Sequence, residues 1–410
     1  MNKSILFISV TFPPRLSVAS LRLYHFAKLF ADNGWKVHVL TCSQTGETTS
    51  DEFNFEGLNI IHVKWKDPFD VTFKIKNPLL RKLTTKFIAL FIPYLASWWP
   101  DLRFRSWRKN TIIQANKLIE KEQITHLYSS FSPPSPHMVA YELKKNHEQL
   151  FWIAEFRDLM SYSHANKEIK KLLANFHFRY ERKILSLASE IVCVSQGHAK
   201  FLEKKLGLKV NVLLNGCDFS SYEVIKPLKN STFTITYTGN IYKKNNDIHL
   251  FFEAIEKLIY YRRRNIKVIF VGTSKSTYLW SLIQLRKLED YIEFLPKLNH
   301  HEVRILQKSS DLLLHFCWNN KKQEGNLTGK IFEYISARIP ILSIGEQEEL
   351  REIIIKTNSG SMINELEEMV SYIEGLFTNN PELPKWSNEN CEYSKLNQFK
   401  TLESRILSYK

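Results

Sequence analysis

Ser4-Ile-Leu-Phe-Ile-Ser-Val10 and Gly34-Trp-Lys-Val-His-Val-Leu40, with a helical pattern between them, decide the fold of this chain. The run Ile5–Val10 is apolar and short, as a buried strand requires. Thr11-Phe-Pro-Pro14 ends it. From Ala19 onward, Leu21, Tyr24, Phe26, Ala27, Leu29 and Phe30 supply the apolar positions of a helix. Gly34 stops that helix, and Lys36–Leu40 reads as a second strand. Strand, helix and strand in succession predict a parallel pair with a right-handed crossover.

The alternation continues outward. Strands are expected at Ile60–Val63, His126–Ser129, Phe151–Glu155, Ile191–Val194 and Val210–Leu214. A polar connector runs from Asp218 to Ser231, and the pattern then restarts. Phe233–Tyr237, Lys267–Val271, Ile292–Leu295, Leu312–Phe316 and Ile341–Ile344 read as strands, with a helix over Asp247–Tyr260. The expected class is therefore α/β, with two doubly wound, Rossmann-like domains. Residues 1–217 form the first and 218–393 the second, and a last helix over about 394–410 is expected to pack back on the first. At 410 residues the chain is long enough for two cores.

The net charge of +15, from 57 basic and 42 acidic residues, favours anionic partners such as phosphates or acidic headgroups. No nucleic-acid-binding signature accompanies it, so a nucleic acid is not the expected partner. The five cysteines are scattered and mostly lie in apolar runs, as buried, reduced thiols do. The first apolar run is too short for a signal peptide, and no run of about 20 apolar residues occurs. These features predict a cytoplasmic protein.

Ligands of parallel sheets bind beyond the C-terminal ends of the strands, so the loops there carry the chemistry, with a cleft between two such domains as the expected site. Glu324-Gly-Asn-Leu-Thr-Gly-Lys-Ile-Phe-Glu-Tyr334 is a polar loop turning into an amphipathic helix. Its helix start offers unpaired N–H groups beside Lys330, which suits a diphosphate. Glu333 is acceptor-only when ionised and suits sugar hydroxyls. Thr238-Gly-Asn-Ile-Tyr-Lys-Lys244 follows a strand: Gly239 permits close approach of a ligand, and Lys243 or Lys244 reads either as a phosphate contact or as a solvated lysine. Phe156-Arg157-Asp158 ends a strand, and either orients an acceptor or forms a local ion pair. Ser17 to Ser20, with Arg22 one turn on, lacks the glycines of a dinucleotide site and offers an acceptor pocket instead. No Asp-x-Asp occurs, which argues against a metal held between two aspartates.

One further segment stands out. Lys64, Lys66, Lys74, Lys76, Arg81, Lys82 and Lys86 precede or enter the apolar run Phe87–Trp99. Residues 64–99 read either as a Pro-interrupted buried helix or as a peripheral contact with an anionic membrane on its cytoplasmic face.

The order and spacing of these pieces resemble the GT-B glycosyltransferases, and among them glycosyltransferase family 4 and its bacterial surface-polysaccharide branch. The resemblance rests on Ile5–Pro14, Gly34–Leu40, Ala154-Glu-Phe-Arg-Asp158, Ala188-Ser-Glu-Ile-Val-Cys-Val-Ser195, Leu214-Asn-Gly-Cys-Asp218, Tyr237-Thr-Gly-Asn240, Val271-Gly272 and Gly329-Lys-Ile-Phe-Glu-Tyr334. It implies retaining transfer of a sugar from a nucleotide-diphosphate sugar to a saccharide or polyprenyl-linked acceptor, with no metal or further cofactor. Gly239, Asn240, Lys243, Thr328, Gly329, Lys330 and Glu333 then hold the donor. Ser17, Arg22 and Arg157 hold the acceptor, and Asp158, Lys243, Lys330 and Glu324 serve the chemistry. Glu324 stands one residue further from Glu333 than the family motif has it, and Arg157-Asp158 stands where many members carry a histidine before the aspartate. A nucleotide-sugar epimerase and a non-catalytic basic binding module are the competing readings.

Overall fold

A computed structural model describes residues 3–14, 18–42, 53–67, 72, 75–98, 103–159, 178–228, 230–241, 248–317, 327–378 and 383–408. Side chains at 18–19, 89–98 and 277 are outside the description. The chain divides into two compact units, Met1–Leu213 with Leu402–Lys410, and Leu214–Thr401.

The first unit is built on a sheet that has, among the described residues, seven strands: β1 (Ser4–Ile8), β2 (Lys36–Cys42), β3 (Leu58–Val63), β4 (His126–Phe131), β5 (Phe151–Phe156), β6 (Glu190–Cys193) and β7 (Asn211–Val212). Their order is β3-β2-β1-β4-β5-β6-β7, and each neighbouring pair is parallel. Strands β1, β4 and β5 are buried at every position, as expected when helices cover both faces. The helices Val18–Asp32, Arg105–Glu122 and Ser135–Asn146 supply that cover, burying Phe26, Phe30, Trp107 and Leu143. Glu403, from the end of the last helix, accepts hydrogen bonds from Lys3 (3.1 Å) and from the Trp35 indole (2.7 Å). These contacts tie the C-terminal half of that helix to the chain beside the first sheet, at Lys3 and Trp35.

The second unit repeats the design with six described strands: β8 (Phe233–Thr238), β9 (Ile266–Val271), β10 (Ile292–Leu295), β11 (Leu312–Phe316), β12 (Ile341–Ile344) and β13 (Gly360–Met362). Their order is β10-β9-β8-β11-β12-β13, again all parallel. The sheet reverses direction of growth between β8 and β11, and in the first unit between β1 and β4. Such switch points open a crevice beyond the strand ends, because the two connections leave toward opposite faces.

The outcome follows the sequence reading closely where strands are long and apolar. Strand β13 was not expected: Gly-Ser-Met is too short and too small to mark an edge strand. The helix expected over Asp247–Tyr260 is α-helical over His249–Glu256 and continues as a π-turn over Lys257–Tyr261. The segment Pro78–Trp98 is one helix that runs through Pro93 rather than breaking there. All five cysteines are buried thiols that form no disulfide.

Candidate donor site at the second switch point

Strand β8 is followed directly by Gly239, whose φ of 113° lies in a region that side chains rarely adopt. Its N–H donates to the Val271 carbonyl at 2.8 Å, and its carbonyl accepts from the Thr273 hydroxyl. Strand β11 ends beside it, and the chain returns at Leu327 to start the helix Lys330–Ala337. The Lys330 side chain crosses Gly239, so a Cβ there would fall 2.6 Å from Lys330 Cε. Gly239 and the Lys330 side chain are therefore in direct contact.

Lys330 Nζ donates to Tyr237 Oη at 3.3 Å and sits 4.8 Å from the centroid of that ring. The tyrosine face attracts the cation. Burial nevertheless pushes the Lys330 pKa down to about 8, although Glu333 opposes the shift. Tyr237 Oη in turn donates to the Asn240 carbonyl at 2.9 Å. That bond fixes the loop and leaves the Asn240 side chain exposed.

Two buried groups hold the helix start in place. The Thr238 N–H donates to Tyr334 Oη at 3.0 Å, a contact that spans 96 residues. Gln307 Nε2 donates to the Thr238 hydroxyl at 3.2 Å. Tyr334 is wholly buried and its phenol pKa rises to about 12, so it stays a neutral hydrogen-bonding group. His315 on β11 is the second clamp: its Nδ1 lies 2.9 Å from Ser343 Oγ and its Nε2 3.2 Å from Thr328 Oγ1. Burial, followed by the Lys330 charge, lowers its pKa to about 3, so the ring is neutral and orients Thr328 without adding charge. Glu333 is exposed between buried Phe332 and Tyr334. Lys243 and Glu324 lie outside the described residues.

The first unit carries a different constellation at its strand ends. Glu155 on β5 is fully buried and accepts from Arg22 Nε (2.8 Å), Tyr128 Oη (2.7 Å) and Ser130 Oγ (2.7 Å). Burial alone would raise its pKa, yet Arg22 and the two hydroxyls hold it below the usual carboxylate range. Arg22 was expected at the acceptor. Its side chain is only 4% exposed, and it neutralises Glu155 while donating to the Leu213 carbonyl at 2.7 Å. Arg157 Nε donates to Ser130 Oγ at 3.1 Å, and Asp158 is exposed beside it. Ser17 lies outside the described residues. Glu155, His315 and Tyr334 were given no role in the sequence reading. For Glu155 and His315 the available signal was a lone ionisable residue inside an apolar strand, since such a group needs a buried partner.

Comparison with solved structures locates this architecture. The chain is similar to a glycosyltransferase from Rickettsia africae ESF-5, with a TM-score of 0.64, 14% identity and full coverage of both chains. It is also similar to WaaG, a glycosyltransferase involved in lipopolysaccharide biosynthesis, with a TM-score of 0.55 and 13% identity over 99% of this chain and 96% of that one.

The fold is that of the GT-B glycosyltransferases.

Residues 232–379, which contain all six described strands of the second sheet and the Lys330 helix, match the family described as Glycosyl transferases group 1. The GT-B architecture also serves a UDP-GlcNAc 2-epimerase from Methanocaldococcus jannaschii, similar with a TM-score of 0.50 and 12% identity over 99% of each chain. Sequence comparison with curated proteins finds no match.

Proposed function

We propose that this chain is a retaining glycosyltransferase that moves a sugar from a nucleoside-diphosphate sugar to a saccharide or lipid-linked saccharide of cell-surface polysaccharide synthesis. One observation carries the reading: Lys330 lies across Gly239 at the β8–β11 switch point, at the start of a helix. A cation and helix-start N–H groups at one point suit a leaving diphosphate, whose oxygens gain charge as the bond to the sugar breaks. The group 1 match over the same residues supports it.

In this reading the acceptor hydroxyl attacks the anomeric carbon from the face the diphosphate leaves. A phosphate oxygen of the leaving group takes the hydroxyl proton, and the new glycosidic bond keeps the donor's configuration without a metal. Lys330, Gly329 and Thr328, with Lys243, stabilise the diphosphate. Glu333 accepts from the ribose hydroxyls, Glu324 from the sugar, and Asn240 borders the donor. Arg157 and Asp158, with Ser17, serve the acceptor, while Arg22 positions that region through Glu155.

Nucleoside diphosphate release from UDP-, GDP-, ADP- and dTDP-sugars, with and without saccharide or lipid-linked acceptors, tests the proposal. Release that depends on acceptor is the expected result. Sugar interconversion without acceptor would move the assignment to an epimerase, the second reading that the structural likeness keeps in view.

Gly239→Ala probes the geometry separately. The added methyl would collide with Lys330 Cε at 2.6 Å and would force an unfavourable φ. Lys330 is the flexible partner and must give way. Donor affinity is expected to fall roughly tenfold, about 1.4 kcal/mol. Stability should fall by about 1 kcal/mol. Titration of donor and a melting curve on the same variant check both.

A further inference from the structure

Residues 78–88 of the helix Pro78–Trp98 expose an apolar side that the sheet core does not use. Leu79, Leu80, Leu83 and Phe87 are 72%, 54%, 57% and 61% exposed. Positions 79, 83 and 87 recur every four residues, so they share one side of the helix, with Leu80 next to them. Lys82 and Lys86 are exposed and flank that side. The helix has no acidic residue along its 21 positions. Among the described residues, no helix is long and apolar enough to cross a membrane.

Leu79, Leu80 and Leu83, left in water, lose the free energy of burial, and a contiguous patch of such side chains marks a surface that is covered in use. The flanking charge decides what covers it. Lysine is depleted at protein–protein interfaces, whereas apolar residues edged by lysine are the pattern of helices lying in a bilayer interface. Such a helix sinks its apolar side to the boundary of the acyl chains and leaves its cations among anionic headgroups.

We propose that residues 78–88 lie in the plane of an anionic lipid bilayer, with Leu79, Leu80 and Leu83 turned toward the acyl chains and Lys82 and Lys86 on lipid phosphates. The contact is independent of the transfer reaction and would hold the first unit at a membrane surface.

Co-sedimentation of the full chain with vesicles tests it, using phosphatidylcholine alone and phosphatidylcholine mixed with phosphatidylglycerol. The wild type is expected to pellet with the anionic vesicles and far less with the neutral ones, and added salt should weaken pelleting as screening shortens. Lys82→Gln/Lys86→Gln should lower partitioning by roughly 25-fold, about fivefold per charge. Leu79→Ser/Leu83→Ser should also release the protein, and all four positions are exposed, so folding is left intact. A wild type that stays in the supernatant, or pellets equally with both compositions, would overturn the proposal. Loss in the lysine variant alone, with full binding by the serine variant, would overturn it too, because adsorption would then involve no apolar insertion.

Discussion

Lys330→Ala lowers turnover by two orders of magnitude or more in the reading developed above, while the protein stays folded. Removing one preorganised donor from a site where negative charge develops costs about 3–4 kcal/mol of transition-state stabilisation. Lys330 has the placement for that role, with Nζ 3.3 Å from Tyr237 Oη and its stem across Gly239. The fold does not depend on its charge. Burial lowers its pKa to about 8, so holding it protonated is a cost to the native state at neutral pH. The unfolded chain, with a lysine pKa near 10.4, binds more protons between about pH 8 and that value. Stability from this group therefore rises with pH across that window, and the alanine variant lacks that rise.

Catalysis has the opposite sign. The free enzyme should lose donor kcat/KM above about pH 8 as Lys330 sheds its proton, since that parameter reports the free enzyme's ionisations. Lys330→Arg keeps its charge and should move the fall to higher pH. An unchanged rate in Lys330→Ala, measured beside an unchanged circular-dichroism spectrum, would remove Lys330 from the mechanism.

Glu155→Ala carries the second large effect, and it falls on stability. Arg22 would remain in the core with its side chain 4% exposed and its carboxylate gone. Breaking a buried pair by removing one partner costs about 3–5 kcal/mol, because the other charge stays desolvated. Tyr128 and Ser130 lose their acceptor as well. For a unit of this size the melting temperature should drop by roughly 6–20 °C. The folded pKa of Glu155 is depressed, so its contribution is present above the ordinary glutamate value and is lost as pH falls through the lower folded value. The wild type should thus lose stability in acid, and Glu155→Ala should lose less over the same range. Equal melting curves for the two proteins would mean that the Arg22–Glu155 pair does not hold the first unit together.

The sheets were legible in the sequence because parallel strands covered on both faces are written as continuous apolar runs, and Ile292–Leu295, Leu312–Phe316 and Ile341–Ile344 match the observed strands residue for residue. Edge structure was less legible. Gly360–Met362 carries no apolar run, since only one neighbour and one partly covered face constrain it. Pro93 misled for another reason: the ring costs one helical hydrogen bond, which the rest of a 21-residue helix absorbs. At the second switch point, the pairing of Gly239 with Lys330 was legible from two strand ends and a helix start. The clamps were not. Tyr334 reaches Thr238 across 96 residues, and His315 reaches Ser343 across 28, so neither partner is local enough to leave a spacing pattern. Arg22 shows the same limit, since its distance from Glu155 is 133 residues and its position in a loop-side helix suggested a ligand instead.

Equilibrium binding of nucleoside diphosphates to the wild type and to Lys330→Ala addresses the central claim most directly. Titration calorimetry with UDP, GDP, ADP and dTDP should find one that binds the wild type, raises its melting temperature by native-state binding, and binds Lys330→Ala at least tenfold more weakly. Equal affinity for wild type and Lys330→Ala, or no affinity of the wild type for any of the four, would contradict a diphosphate held across Gly239.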